Sequence, residues 1–96
     1  MVRPRRFRRV ACDPRSTYYK PVGIPMRGLE EVVIMFDELE AMRLTEESGL
    51  SQIDASVKMN ISQPTLNRLI ANFNKKITDA LINSKAIRLE NADWIN

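Results

Sequence analysis

The chain has 96 residues, a formal net charge of +3, one cysteine and no histidine. This length supports a single domain with a modest core, and the residue types exclude a Cys/His zinc site and histidine-assisted catalysis within one chain. No stretch approaches the roughly 18 apolar residues of a membrane-spanning helix, and the arginine-rich N-terminus has no apolar signal segment. We therefore expect a cytoplasmic protein without a membrane segment, enzymatic activity, cofactor or bound metal.

The N-terminal segment, residues 1–31, is predicted to be an irregular basic arm followed by a loop. It contains four of the five prolines and two of the three glycines, which favour turns and extended backbone. Five arginines fall within seven residues: Arg3, Arg5, Arg6, Arg8 and Arg9. Such a run can simply aid solubility, but arginines interleaved with Pro4 and Phe7 favour a polyanion partner. We expect residues 1–9 to be mobile until that partner binds.

A short strand and a helix are predicted next. Residues 32–35 are apolar and rich in β-branched side chains, which indicates a buried strand. A helix is expected over residues 37–48, with Asp37 as its N-cap, Glu40 at the capping-box position and Gly49 at its end. Five of its twelve residues are acids, so this helix would present an acidic surface.

Two further helices joined by a turn are predicted from the stretch SQIDASVKMNISQPTLNRLI, residues 51–70. Ser51 can cap the first helix and Ser62 the second, and Pro64 is tolerated in a first helical turn. Asn60 occupies the bend, because asparagine tolerates the left-handed conformation. The residues expected to face inward are Ile53, Ser56, Val57 and Met59 in the first helix, and Leu66, Leu69, Ile70, Phe73, Ile77, Ala80 and Leu81 in the second.

The outward side of the second helix carries hydrogen-bonding and cationic side chains, with no acid before Asp79. In a helix-turn-helix, the second helix enters the major groove of DNA, where arginine suits guanine and asparagine suits adenine. Thr65 and the amides near the helix start suit phosphate. The alternative is a solvated face without a partner. The candidate DNA-binding residues, besides the arm arginines, are Ser62, Gln63, Thr65, Asn67, Arg68, Lys75 and Lys76.

The main domain, residues 32–90, is predicted to end in a strand at Ala86–Glu90, where apolar and charged residues alternate. This strand can pair with residues 32–35 of its own chain or with a second subunit. Residues 91–96 form a C-terminal tail. Its Trp94 leaves two interpretations open, a docking element or a frayed end.

Several short motifs along the chain carry a family resemblance. They are Arg3-Pro4-Arg5, Arg8-Arg9-Val10, Pro21-Val22-Gly23-Ile24-Pro25, Leu29-Glu30-Glu31-Val32-Val33, Asp37-Glu38-Leu39-Glu40-Ala41-Met42-Arg43-Leu44, Ile61-Ser62, Thr65, Arg68, Asp79-Ala80-Leu81 and Lys85-Ala86-Ile87-Arg88. Through them, nearly the whole chain resembles the small proteins grouped as domain of unknown function 134, predicted DNA-binding proteins of bacteria and archaea. The resemblance implies a helix-turn-helix similar to region 4 of sigma factors and a role in transcription.

The chain departs from the family pattern early in the predicted recognition helix, where Pro64 replaces a polar residue. Proline cannot donate a hydrogen bond to a base. We therefore expect the base contacts to come from Gln63, Asn67 and Arg68, with a target preference that differs from that of relatives.

The predicted fold class is mainly α, with a helix-turn-helix three-helix core, short β segments and an irregular basic N-terminal arm. The expected function is sequence-specific binding of double-stranded DNA in transcription regulation. A homodimer is expected because helix-turn-helix proteins commonly read paired half-sites. Two alternatives stay open: a protein-interaction module that contacts the transcription machinery through the acidic helix 37–48, and an RNA-binding adaptor that uses the arginine arm.

Overall fold

The structure is a computed structural model that describes residues 8–91. This part of the chain forms three α-helices, a π-helical turn and a small sheet of three strands. In chain order the elements are β1 (Tyr18–Tyr19), β2 (Glu31–Met35), α1 (Phe36–Met42), the π-helical turn (Arg43–Glu47), α2 (Gln52–Met59), α3 (Gln63–Asn83) and β3 (Ala86–Glu90). The predicted mainly α fold with short β segments is confirmed.

The sheet has the strand order β1-β3-β2, so β3 lies in the middle. Strands β2 and β3 run parallel, with Val32 opposite Ile87, whereas β1 is antiparallel to β3, with Tyr18 opposite Arg88. The predicted strand at Ala86–Glu90 is thus confirmed, and its partners belong to its own chain. Because β2 and β3 are parallel, all three helices lie in the connection between them.

Helix α1 follows β2 without a linker, which corrects the predicted cap. The N-cap is Met35, whose amide donates to Glu38 Oε1 at 2.9 Å. Glu38 therefore takes the capping role that the sequence analysis gave to Asp37 and Glu40. Those two carboxylates are buried inside the domain. The helix starts earlier than predicted because the strand runs directly into it. Each acid therefore lies further inside the helix than the prediction placed it.

The turn between α2 and α3 forms as the sequence predicts. Ser51 Oγ accepts a hydrogen bond from the Asp54 amide at 3.1 Å, and Ser62 Oγ accepts one from the Thr65 amide at 3.2 Å. Asn60 adopts the left-handed conformation, with φ of 58°. Local capping chemistry thus sets both helix starts and the bend.

The helices meet in one apolar cluster, formed by Ala41, Leu44, Ala55, Met59, Leu66 and Leu69. The prediction that Ile53 and Val57 of α2 face the core is wrong, because Ile53 is 58% exposed and Val57 is 67% exposed. The other two, Ser56 and Met59, are buried as predicted, together with Ala55, and the small side chains of Ala55 and Ser56 allow close packing of α2. Leu81 is also exposed, since the neighbouring Ala80 holds the inward position at the end of α3.

None of the helices within residues 8–91 is both long and apolar enough to cross a membrane. In the same part of the chain, no group of three histidine, cysteine or acidic side chains is arranged to hold a metal ion.

Candidate nucleic-acid interface

One side of α3 faces solvent along most of the helix, and we name it the outer face. Its residues, all exposed, are Gln63, Pro64, Asn67, Arg68, Ala71, Asn72 and Lys75. From Pro64 onward they recur at helical spacing, opposite the buried Leu66 and Leu69. The first acid of α3 is Asp79, four residues beyond the outer face. Amides and cations therefore share a surface that contains no carboxylate.

The first turn of α3 connects three of the predicted site residues. Thr65 Oγ1 accepts a hydrogen bond from Ser62 Oγ at 2.9 Å and lies 3.4 Å from Arg68 Nη2. The weak contact with Thr65 draws the guanidinium of Arg68 towards the N-terminal end of the helix. The structure thus brings Ser62, Thr65 and Arg68 together where the amides of the helix start are directed outward.

The neighbouring lysines of α3 have different surroundings. Lys76 Nζ lies 2.8 and 3.0 Å from the two carboxylate oxygens of Glu38, whose side chain is only 5% exposed. Lys75 is exposed on the outer face, and within residues 8–91 it forms no ion pair. Consecutive helical residues point about 100° apart, so one lysine faces the domain and the other faces solvent.

The described part of the basic arm lies against the domain. Arg8 forms an ion pair with Asp37, the Arg9 amide donates to the Met59 carbonyl at 3.0 Å, and the Ala11 amide donates to Glu40 Oε2 at 3.0 Å. Arg8 and Arg9 thus contact the domain, whereas the sequence analysis expected residues 1–9 to be mobile. The other predicted arm residues, Arg3, Arg5 and Arg6, lie outside the described residues.

Helix α1 supplies three buried carboxylates, and each joins a different part of the chain. Asp37 pairs with Arg8 of the arm, Glu38 with Lys76 of α3, and Glu40 with Arg43 at 2.6 Å. Burial acts to raise the pKa of Glu40, but hydrogen bonds from Arg43 and the Ala11 amide outweigh it and hold the pKa below its usual value. These acids serve internal contacts, which leaves Glu46 and Glu47 as the exposed acids of the predicted helix 37–48.

Sequence reasoning missed one cation beside the turn, Lys58. It lines an open groove of about 810 Å³ together with Arg9 and Arg43. Lys58 is exposed and immediately precedes Met59, whose carbonyl binds the Arg9 amide. The signal was present in the sequence, as a basic residue just before the bend. It was overlooked because the candidate residues were taken only from the arm and from the second helix of the motif.

Cys12 has the character of a packed thiol. Its Sγ donates to the Phe36 carbonyl at 3.8 Å. Burial, and after it the negative charge of Glu40, raises the pKa of this thiol to about 11. Because the thiolate is the reactive form, Cys12 is poorly suited to nucleophilic or metal-binding roles at neutral pH.

Comparison with known proteins places the whole chain in one family. The family model described as "Protein of unknown function DUF134" matches residues 1–96. A UPF0251 protein of Caldanaerobacter subterraneus is 47% identical over 94 residues, which are 98% of this chain and 80% of the relative. A UPF0251 protein of Moorella thermoacetica is 48% identical over 90 residues, covering 94% of this chain and 60% of the relative.

A third relative, a UPF0251 protein of Dehalococcoides mccartyi, is 46% identical over 90 residues, or 94% of this chain and 77% of its own length. No solved structure matches the chain. The names of these relatives state no activity. The chain belongs to the DUF134 family, whose members include these UPF0251 proteins.

Proposed function

We propose that this protein is a sequence-specific duplex DNA-binding protein that acts in transcription regulation. In this proposal α2 and α3 work as a helix-turn-helix, and the outer face of α3 enters the major groove. The observation that carries the proposal is the outer face itself. It is exposed, rich in amides and cations and free of carboxylates, and it begins at a capped turn.

Each part of this surface has a role in the proposal. Gln63, Asn67 and Arg68 stand near the N-terminal end of α3, where a recognition helix reads base edges. Ser62 and Thr65 contact phosphate beside the helix start, and Lys75 contacts the backbone further along. Lys76 has no role in the proposed interface, because Glu38 holds its ammonium group on the inner side of α3.

In the proposal the arm adds positive charge to the same interface. Arg3, Arg5 and Arg6 are proposed to contact DNA, and an extended arginine segment suits the narrow minor groove of A/T-rich sequence. A homodimer is part of the proposal, because paired half-sites one helical turn apart require two recognition helices.

The two alternatives receive less support. A partner that docks on the acidic helix would need exposed carboxylates, but Asp37, Glu38 and Glu40 are buried, which leaves it only Glu46 and Glu47. An RNA-binding adaptor would rely on the arm and would leave the outer face of α3 without a partner. It predicts a preference for single-stranded or looped RNA over duplex DNA.

A titration of the protein with a pool of genomic duplex fragments at several salt concentrations tests the proposal. We expect binding that weakens steeply with salt, because each neutralised phosphate contributes about 0.9 to the slope of log K against log salt. A few fragments should be enriched over the pool. Folded protein that binds no duplex at low salt, or that prefers single-stranded RNA, would contradict it.

A further inference from the structure

The ion pair between Arg8 and Asp37 lies at the junction of the arm and the domain. The Asp37 side chain is only 3% exposed, and that of Arg8 is 29% exposed. Asp37 Oδ1 also accepts a hydrogen bond from the Glu38 amide at 2.8 Å, while Oδ2 faces Arg8. The carboxylate is therefore fixed on α1, and it fixes the guanidinium in turn.

This junction lies next to the start of α3. Arg8 lines a shallow cavity of about 550 Å³ together with Asn60, Ser62 and Thr65. One residue later, the Arg9 amide binds the carbonyl of Met59, the last residue of α2. The arm thus meets the domain at the turn that precedes the proposed recognition helix.

The ion pair gives Arg8 a partner inside the protein. The charge of Arg8 is compensated by Asp37, so this residue is suited to anchoring the chain rather than neutralising phosphate. An extended chain spans at most about 3.5 Å per residue, so Arg3 can reach up to about 17 Å from Arg8. The major groove is about 12 Å wide, so that reach extends from the start of α3 to the neighbouring backbone and minor groove.

We propose that Asp37 is a positioning residue for DNA binding, although it contacts no DNA itself. Through Arg8, it holds the point at which the arm leaves the domain beside the start of α3. The arm and the outer face of α3 then engage one duplex together. Fixing that point raises the effective concentration of the arm arginines at the DNA. This inference rests on the proposed function.

The test combines Asp37→Asn with an arm-neutral variant that carries Arg3→Gln, Arg5→Gln and Arg6→Gln. Asparagine can still accept from the Glu38 amide but cannot pair with Arg8. Glu38→Gln is the matched control, because Glu38 is an equally buried acid of α1 whose cationic partner is Lys76 of α3. Duplex affinity and its salt slope are measured for each variant and for the combination, below the unfolding transition of all of them.

We expect Asp37→Asn to weaken duplex binding about threefold to tenfold and to reduce the salt slope, as the loss of a tethered contact would. In the arm-neutral background it should have almost no further effect, because the two changes act through the same contact. Glu38→Gln should lower stability and leave the salt slope unchanged.

Three results would overturn the inference while the proposed function stands. Asp37→Asn could leave binding unchanged, could tighten it by releasing Arg8 for phosphate, or could weaken it equally with and without the arm charges. If the unaltered protein binds no duplex, the proposed function fails and positioning fails with it. The rate of trypsin cleavage after Arg8 and Arg9 then reports on the anchor alone. Cleavage should be faster in Asp37→Asn than in Glu38→Gln.

Discussion

Helix α1 and the outer face of α3 both carry several polar or charged residues, but they use them differently. On α1, Asp37, Glu38 and Glu40 are almost fully buried, and each is paired with a cation, which is distant in sequence for Asp37 and Glu38 and three residues away for Glu40. On the outer face, Arg68 and Lys75 are exposed and form no ion pair within residues 8–91. Burial, rather than charge count, therefore separates charges that hold the fold from charges available to a partner.

The largest expected effect separates the two neighbouring lysines. Lys76→Ala should lower the free energy of unfolding by about 2–3 kcal/mol, because it leaves Glu38 buried without its cation. The partial exposure of Lys76 keeps this loss below that of a fully buried ion pair. Lys75→Ala should change it by less than about 0.5 kcal/mol, as expected for an exposed side chain. Urea unfolding of both variants measures the difference. Equal losses would remove the distinction between the inner and outer sides of α3.

The second prediction divides the outer face into reading and positioning residues. Arg68→Ala should cost about 1–3 kcal/mol on a preferred duplex and relax discrimination at one base pair. Lys75→Ala should weaken all sequences similarly and reduce the salt slope by about 0.9. Titrations with a preferred duplex and its single-base variants distinguish the two. If both variants lose affinity equally on every sequence, Arg68 contacts phosphate only.

The contribution of the buried carboxylates of α1 can be tested by lowering the pH. Glu40 has a lowered pKa in the folded protein, so its stabilising contribution is present above its ordinary value of 4.5 and is lost as pH falls through the folded pKa. Glu40→Gln should therefore be less stable near neutral pH and should lose less further stability on acidification. Thermal unfolding across acidic pH measures this. A parallel pH dependence in both proteins would show that folding does not lower the pKa of Glu40.

The smallest effect concerns Cys12, which packs beside α1. Its pKa is raised to about 11, because burial disfavours the thiolate. The protonated thiol therefore contributes to folding stability fully below the ordinary pKa of 9.0, and this contribution is lost as pH rises through 11. At neutral pH the thiol should react more slowly with iodoacetamide than the same cysteine in urea-unfolded protein. Mass spectrometry follows the reaction, and equal rates would mean that the thiol is not protected.

Local features of the fold were predictable from the sequence, whereas long-range partners were not. Ser51, Asn60 and Ser62 were assigned correctly because a cap or a left-handed bend depends on a few adjacent residues. The partner of Lys76 lies 38 positions away and that of Arg8 lies 29 positions away. No periodicity within one helix can indicate such pairs. Lys76 therefore looked like a second copy of Lys75 until tertiary packing separated them.

The faces of α2 were misassigned in part, for a related reason. Hydrophobicity favoured Ile53 and Val57 as inward residues, but both are exposed, whereas Ser56 and Met59 are buried as predicted, together with the small Ala55. The size of the space between two helices is a tertiary property, and a single helical pattern does not specify it. The outer face of α3 was easier to predict, because its apolar stripe is long and its polar side contains no acid before Asp79.

The most direct measurement of the central claim is backbone amide NMR of labelled protein during titration with a preferred duplex. Our account predicts the largest chemical-shift changes at Ser62, Gln63, Asn67, Arg68 and Lys75. The amides of Glu46 and Glu47 should remain nearly unchanged. Changes confined to the acidic segment or to the sheet, with an unaffected outer face, would contradict the assignment of α3 as the DNA-reading helix.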